Sequence, residues 1–114
     1  LLEMLVGNLP GPVDATHETP VEAIRVLPAG SMPVNDIGLL FGSRTMERFL
    51  QFHAPQLADL VLIDAPPVLG DDPGLRLLPL ADGVVYVVRL GETDSARARS
   101  GLAALARMDA KVVG

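Results

Sequence analysis

Cysteine and tryptophan are absent from the 114-residue chain, and aromatic residues make up only 4% of it. Without cysteine, the chain can form neither a disulfide nor a cysteine-ligated zinc site. The scarcity of aromatic residues predicts a core built from aliphatic side chains. No apolar run approaches the roughly 18–20 residues that a membrane-spanning helix needs. The first residues lack the basic segment of a secretory signal peptide, and Glu3 interrupts their apolar run.

The charge balance is acidic: 14 aspartate and glutamate residues outnumber nine lysine and arginine residues, which gives a formal net charge of −5. A broad nucleic-acid-binding surface needs a basic patch, so no nucleic-acid partner is predicted. Hydrophobic residues make up 49% of the chain and charged residues 20%. This balance is typical of folded globular domains and not of disordered segments.

Continuous apolar runs at residues 60–63 and 84–88, and the run that begins at Lys111, predict strands buried on both faces. A shorter strand is predicted at 23–27. Helix-like segments separate these runs, and such alternation predicts an α/β fold: a parallel sheet with helices on both faces. An α+β domain with a mixed sheet is the alternative that the pattern leaves open.

Apolar residues at helical spacing predict a helical region over 36–53, with a break at residues 42–43. A second amphipathic helix is predicted over 94–108, with Thr93 or Asp94 as its N-terminal cap.

Asp64 ends the apolar run at 60–63 and is followed by Ala65 and two prolines, Pro66 and Pro67. In open parallel sheets, ligands bind at the carboxyl ends of strands. A carboxylate placed there needs a partner, and Mg²⁺ bound to nucleotide phosphates is one. The two prolines donate no backbone hydrogen bond and restrict the adjoining chain, so they predict a rigid wall beside such a phosphate. A simple strand terminator is the alternative.

The segments DLVLIDAPPVL at 59–69 and ADGVVYVVRLGETDSA at 81–96 resemble the nucleotide-binding domain of bacterial tyrosine kinases (BY-kinases). These are autokinases attached to capsule and exopolysaccharide export. The upstream segments VLPAGSMPVNDIGLLFGSRTMERFL and LLEMLVGNL are also similar to the family, in the same order. The resemblance implies a P-loop NTPase-like fold, of which residues 1–114 are the C-terminal part, truncated at both ends.

By this resemblance Asp64 is the Walker B aspartate that holds Mg²⁺ with ATP, and Pro66 and Pro67 line the nucleotide site. The family often has an acid nine residues after that aspartate, where this chain has Pro73. Asp72 either takes over that role or caps the helix that starts at Pro73, and the cap is the favoured interpretation.

Other motifs that the family uses for catalysis are missing from the 114 residues. There is no G-x-x-x-x-G-K-[ST] phosphate loop, and the single tyrosine, Tyr86, lies within an apolar run and is predicted to be core. We therefore expect this chain alone to be inactive. The resemblance implies that the intact protein to which these residues belong binds nucleotide, self-associates and interacts with a membrane adaptor of polysaccharide export. It also implies a location in the cytoplasm, at the inner face of the inner membrane. A ParA/Mrp-like ATPase and a degenerate, non-catalytic interaction module are the alternatives.

The remaining basic residues have plainer interpretations. Arg44 and Arg48 share a helix face that is predicted to be solvated. His53 is predicted to lie near a helix end, where it interacts favourably with the helix C-terminus. Arg89 follows a predicted strand and is a candidate polar contact at the ligand edge.

Overall fold

The computed structural model describes residues 1, 5, 12–31, 37–68 and 73–114. The chain divides into two compact units, Leu1–Ile63 and Asp64–Gly114. Asp72, and with it the predicted cap of the helix at Pro73, lies outside the described residues.

The first unit contains a short antiparallel hairpin of β1, His17–Glu18, and β2, Arg25–Val26, in which His17 pairs with Val26. Thr19 organises the connection, because its hydroxyl donates to the carbonyl oxygen of Ile24 at 3.0 Å. The strand predicted at 23–27 is confirmed in shortened form as β2. Its partner β1 was not predicted.

Four consecutive helical segments follow in the first unit. They are α1, Ile37–Phe41; α2, Arg44–Arg48; a π-helical turn, Phe49–His53; and α3, Ala54–Leu57. The predicted break at 42–43 is confirmed: Ser43 has an extended backbone and its side chain accepts the Met46 N–H at 3.2 Å. Among the residues of this unit that the structure describes, the buried side chains are those of Leu5, Ala15, Met46, Phe49 and Ala54.

The second unit contains a 3₁₀-helix, Pro73–Leu80, and helix α4, Ser95–Arg107, in which the side chains of Leu77 and Leu105, respectively, are buried. The amphipathic helix predicted over 94–108 is therefore confirmed. Its C-terminal end is closed by Asp109 in the left-handed region (φ 54°), with the N–H of Ala110 donating to Leu105 at 3.0 Å. Aspartate tolerates this conformation better than most residues, so the helix can end without glycine.

Helix α4 starts at the cap that the sequence predicted. Asp94 Oδ1 accepts the backbone N–H of Arg97 at 2.8 Å, which satisfies one of the four free N–H groups of the first turn. We expect Asp94→Ala to lower the free energy of unfolding by about 1 kcal/mol, and Asp94→Asn, which keeps an acceptor, by only a few tenths. Urea unfolding followed by circular dichroism measures both. An equal loss in the two variants would contradict the capping role.

Gly101 lies in the middle of α4, where glycine is normally unfavourable, and it is buried. A Cβ at this position would overlap the hydroxyl oxygen of Tyr86 and lie 2.7 Å from Tyr86 Cζ. The missing side chain thus lets the half-buried Tyr86 ring pack directly on the helix, in agreement with its predicted structural role.

A Gly→Ala change at an exposed helix position raises the free energy of unfolding by about 0.5–1 kcal/mol. Overpacking of a buried site lowers it by about 1–3 kcal/mol. We therefore expect Gly101→Ala to destabilise the chain. In a Tyr86→Ala background the same change should become stabilising, because the obstructing ring is gone. Urea unfolding of the wild type, the two single variants and the double variant tests whether the effect of Gly101→Ala on the free energy of unfolding reverses sign. A stabilised Gly101→Ala single variant would contradict the contact.

The predicted parallel sheet with helices on both faces is wrong, and with it the P-loop NTPase-like fold. Among the described residues the single sheet is the antiparallel pair β1–β2, and Val84 and Val112 form one isolated parallel bridge. Residues 60–63 form no strand, and the side chains of Leu60 and Leu62 are 73% and 83% exposed.

The physical reason for this difference is that an apolar run becomes a buried strand only when neighbours pair with its backbone and other elements cover both faces. Helix α4 covers one face of the run at 84–88 through Tyr86, while Val85 and Val87 on the other face are 66% and 84% exposed. None of the helices in the described ranges is both long and apolar enough to span a bilayer.

Candidate functional site

The candidate nucleotide site predicted from the sequence centres on Asp64, at the start of the second unit. Residues 60–67 have no regular secondary structure, and Asp64, Pro66 and Pro67 are all exposed. Within the described ranges the Asp64 carboxylate has neither a hydrogen bond nor an ion pair. The carboxylate is therefore available to a cation or another ligand from solvent.

The chemistry of this stretch fits a Mg²⁺ ion that takes a single carboxylate from it. In the part of the chain that the structure describes, no group of three or more histidine, aspartate or glutamate side chains comes together to hold a metal. A site made by protein ligands alone is thus not formed there. Mg²⁺ commonly takes only one or two carboxylates and fills its remaining positions with phosphate oxygens and water. Asp64 fits that second role, as one ligand of a nucleotide-bound ion.

Arg89, which was predicted to contact the ligand, forms no hydrogen bond or ion pair with Asp64 within the described residues. Asp72 lies outside the described residues. Arg89 Nη1 instead donates to Glu92 Oε2 at 2.7 Å, and both side chains are largely exposed. An exposed ion pair of this kind contributes about 0–1 kcal/mol to the free energy of unfolding. An anionic ligand that binds more strongly could therefore displace Glu92 from Arg89. A ligand contact by Arg89 stays a prediction.

A pocket of about 190 Å³ lies in the first unit, and sequence reasoning missed it. It is lined by Leu5, Pro12, Thr45, Arg48, Phe49 and His53. Arg48 is exposed as predicted, and His53 is the last residue of the π-helical turn, four residues before the helical path ends at Leu57. The spacing of Thr45, Arg48 and Phe49 along one helix face was the available signal.

Comparison with curated proteins finds a relative among the bacterial kinases. Over 102 residues, 90% of its length, the chain is 33% identical to the tyrosine-protein kinase YwqD of Bacillus subtilis (strain 168). The chain spans 41% of the length of that relative. No family model and no solved structure matches the chain. The predicted relationship is confirmed at this level: the chain is related in sequence to a bacterial tyrosine-protein kinase.

Proposed function

We propose that this chain is part of an ATP-dependent protein-tyrosine autokinase of the BY-kinase family, which regulates the synthesis and export of capsule or exopolysaccharide. The observation that carries the proposal is the 33% identity to tyrosine-protein kinase YwqD over 90% of the chain. The motif around Asp64, Pro66 and Pro67 supports it from the sequence side.

Asp64 is proposed as the Walker B aspartate, holding Mg²⁺ that is bound to the phosphates of ATP. The metal supplies charge neutralisation on the transferring phosphoryl group. Three features of the chain suit this role: the carboxylate is exposed, it is free of a described protein partner, and the prolines beside it restrict the backbone. For Asp72 we favour the role of a helix cap. The alternative is that it serves as a second acidic residue of the nucleotide site.

The partners of the intact protein are proposed on the same basis. They are the nucleotide, a membrane adaptor of polysaccharide export and further copies of the kinase, and the place of action is the cytoplasm at the inner face of the inner membrane. Because ATP is the phosphate donor, a cytoplasmic catalytic site is the consistent choice.

The proposal is tested on the protein expressed from its complete gene. Incubation with Mg·ATP should give phosphotyrosine, detected by mass spectrometry and by loss of the signal after treatment with a tyrosine phosphatase. Residues 1–114 alone should give none. ATP hydrolysis without phosphotyrosine would favour a ParA/Mrp-like ATPase instead, and neither activity would favour a non-catalytic interaction module.

A further inference from the structure

The pocket in the first unit has an apolar part and a polar part. Leu5 and Phe49 are buried beneath it, and Pro12 adds to the apolar wall. Thr45, Arg48 and His53 supply a hydroxyl, a guanidinium and an imidazole, and all three residues are exposed. The pocket therefore offers hydrogen-bond donors beside a surface suited to a hydrocarbon or a ring.

The polar part of this pocket is suited to an anion because none of the described residues that line it is acidic. In the described part of the chain, neither Arg48 nor His53 takes part in an ion pair. Glu47, the neighbouring acid on the helix, instead accepts a hydrogen bond from Gln51 at 3.3 Å. The guanidinium of Arg48 is thus left with its planar set of donors available, a geometry that matches phosphate oxygens.

The π-helical turn holds the two ring-bearing residues of the pocket together. The N–H of Ala54 donates to the carbonyl oxygen of Phe49, five residues back. The rings of Phe49 and His53 are stacked, with centroids 6.5 Å apart and an angle of 23° between their planes. Single π-helical turns are uncommon and occur frequently at functional sites, so the irregular helix is a second indication that this face is a site.

Size and chemistry together select the ligand class. A volume of about 190 Å³ is below the roughly 300–1,000 Å³ of pockets for drug-sized ligands, so a whole nucleotide does not fit. We propose that the pocket binds an aryl phosphate, the side chain of a phosphotyrosine residue. Arg48 binds the phosphate with Thr45 and His53 beside it, and the aromatic ring packs against Phe49. The choice of aryl phosphate over other small anions rests on the proposed kinase function.

The test is a titration of the ¹⁵N-labelled 114-residue chain by nuclear magnetic resonance. The probes are N-acetyl-phosphotyrosine amide, N-acetyl-tyrosine amide and inorganic phosphate. Phosphotyrosine amide should shift the amide signals of Phe49 and His53 and bind more tightly than either of the other probes. Arg48→Gln should weaken its binding about tenfold or more, since the substitution removes the charge-assisted hydrogen bonds from the guanidinium to the phosphate. Arg44→Gln is the matched control: it removes an exposed arginine of the same helix that does not line the pocket.

Three outcomes would overturn the proposal: no shift at Phe49 and His53, equal affinity for inorganic phosphate, or equal weakening by Arg44→Gln. The second would mean that the ring is not recognised, and the third that only surface charge acts. The titration needs no catalysis, so its failure leaves the kinase proposal standing. Binding of phosphotyrosine amide by a protein whose complete gene product does not phosphorylate tyrosine would instead remove the kinase proposal and keep the pocket.

Discussion

Replacing Asp64 with asparagine is expected to reduce Mg·ATP-dependent tyrosine phosphorylation by the complete gene product about 100-fold or more. A metal ion contributes several kcal/mol to the stabilisation of transition-state charge, and each 1.36 kcal/mol is a factor of ten in rate. Asparagine keeps the shape of the side chain and removes the charge that holds Mg²⁺. Initial rates measured against ATP and Mg²⁺ concentration should show the loss together with a weakened dependence on Mg²⁺.

The position of Asp64 makes this substitution a clean probe, because the side chain is exposed and has no described hydrogen-bond or ion-pair partner. Surface changes of this kind usually alter stability by less than about 0.5 kcal/mol, so a loss of activity cannot be attributed to unfolding. Asp59→Asn is the matched control, since Asp59 is an exposed acid five residues earlier. Equal activity of the Asp64→Asn protein and the wild type would remove Asp64 from the catalytic site.

Local sequence signals predicted the helical parts of the fold. The cap at Asp94 and the break before α2 each depend on a hydrogen bond that spans three residues, Arg97 to Asp94 and Met46 to Ser43. Such signals are readable because donor and acceptor lie within one helical turn. The segment Pro73–Leu80 was predicted as a helix and is a 3₁₀-helix that contains Pro79, which has no N–H to donate.

Strand pairing was not predictable in the same way, because it depends on residues distant in sequence. The runs at 60–63 and 84–88 have the composition of buried strands, yet composition does not specify a partner. Val84 pairs with Val112, 28 positions later, and with no further strand in the described ranges. In contrast, β1 contains His17 and Glu18, both polar, and is formed because the turn at Thr19 brings Arg25 and Val26 back alongside it.

The candidate site was predictable only as a set of residue types. The sequence identified Asp64 and its two prolines from a pattern, and the structure adds that all three are exposed. The pocket around Arg48 and Phe49 was missed, because its lining also includes Leu5 and Pro12, which lie more than 30 residues earlier in the chain and which no helical spacing connects to it.

Replacing Leu105 with alanine is expected to cause the largest loss of stability, about 2–5 kcal/mol in the free energy of unfolding. Leu105 is 0% exposed and lies on the face of α4 that also carries the buried Gly101. The substitution removes apolar contacts and leaves a cavity that the surrounding side chains fill only in part. Small domains have a total stability of about 5–15 kcal/mol, so much of the second unit could unfold at 37 °C.

The control for this prediction is Leu102→Ala on the same helix, where the side chain is 43% exposed. The change in helix propensity is the same in both variants, so the difference between them reports burial alone. We expect Leu102→Ala to cost about 1 kcal/mol or less. Urea unfolding followed by far-ultraviolet circular dichroism measures both, with the slope of the transition checked for constancy. Similar losses at the two positions would mean that α4 does not pack through Leu105, and the packing of the second unit would then have to be reassigned.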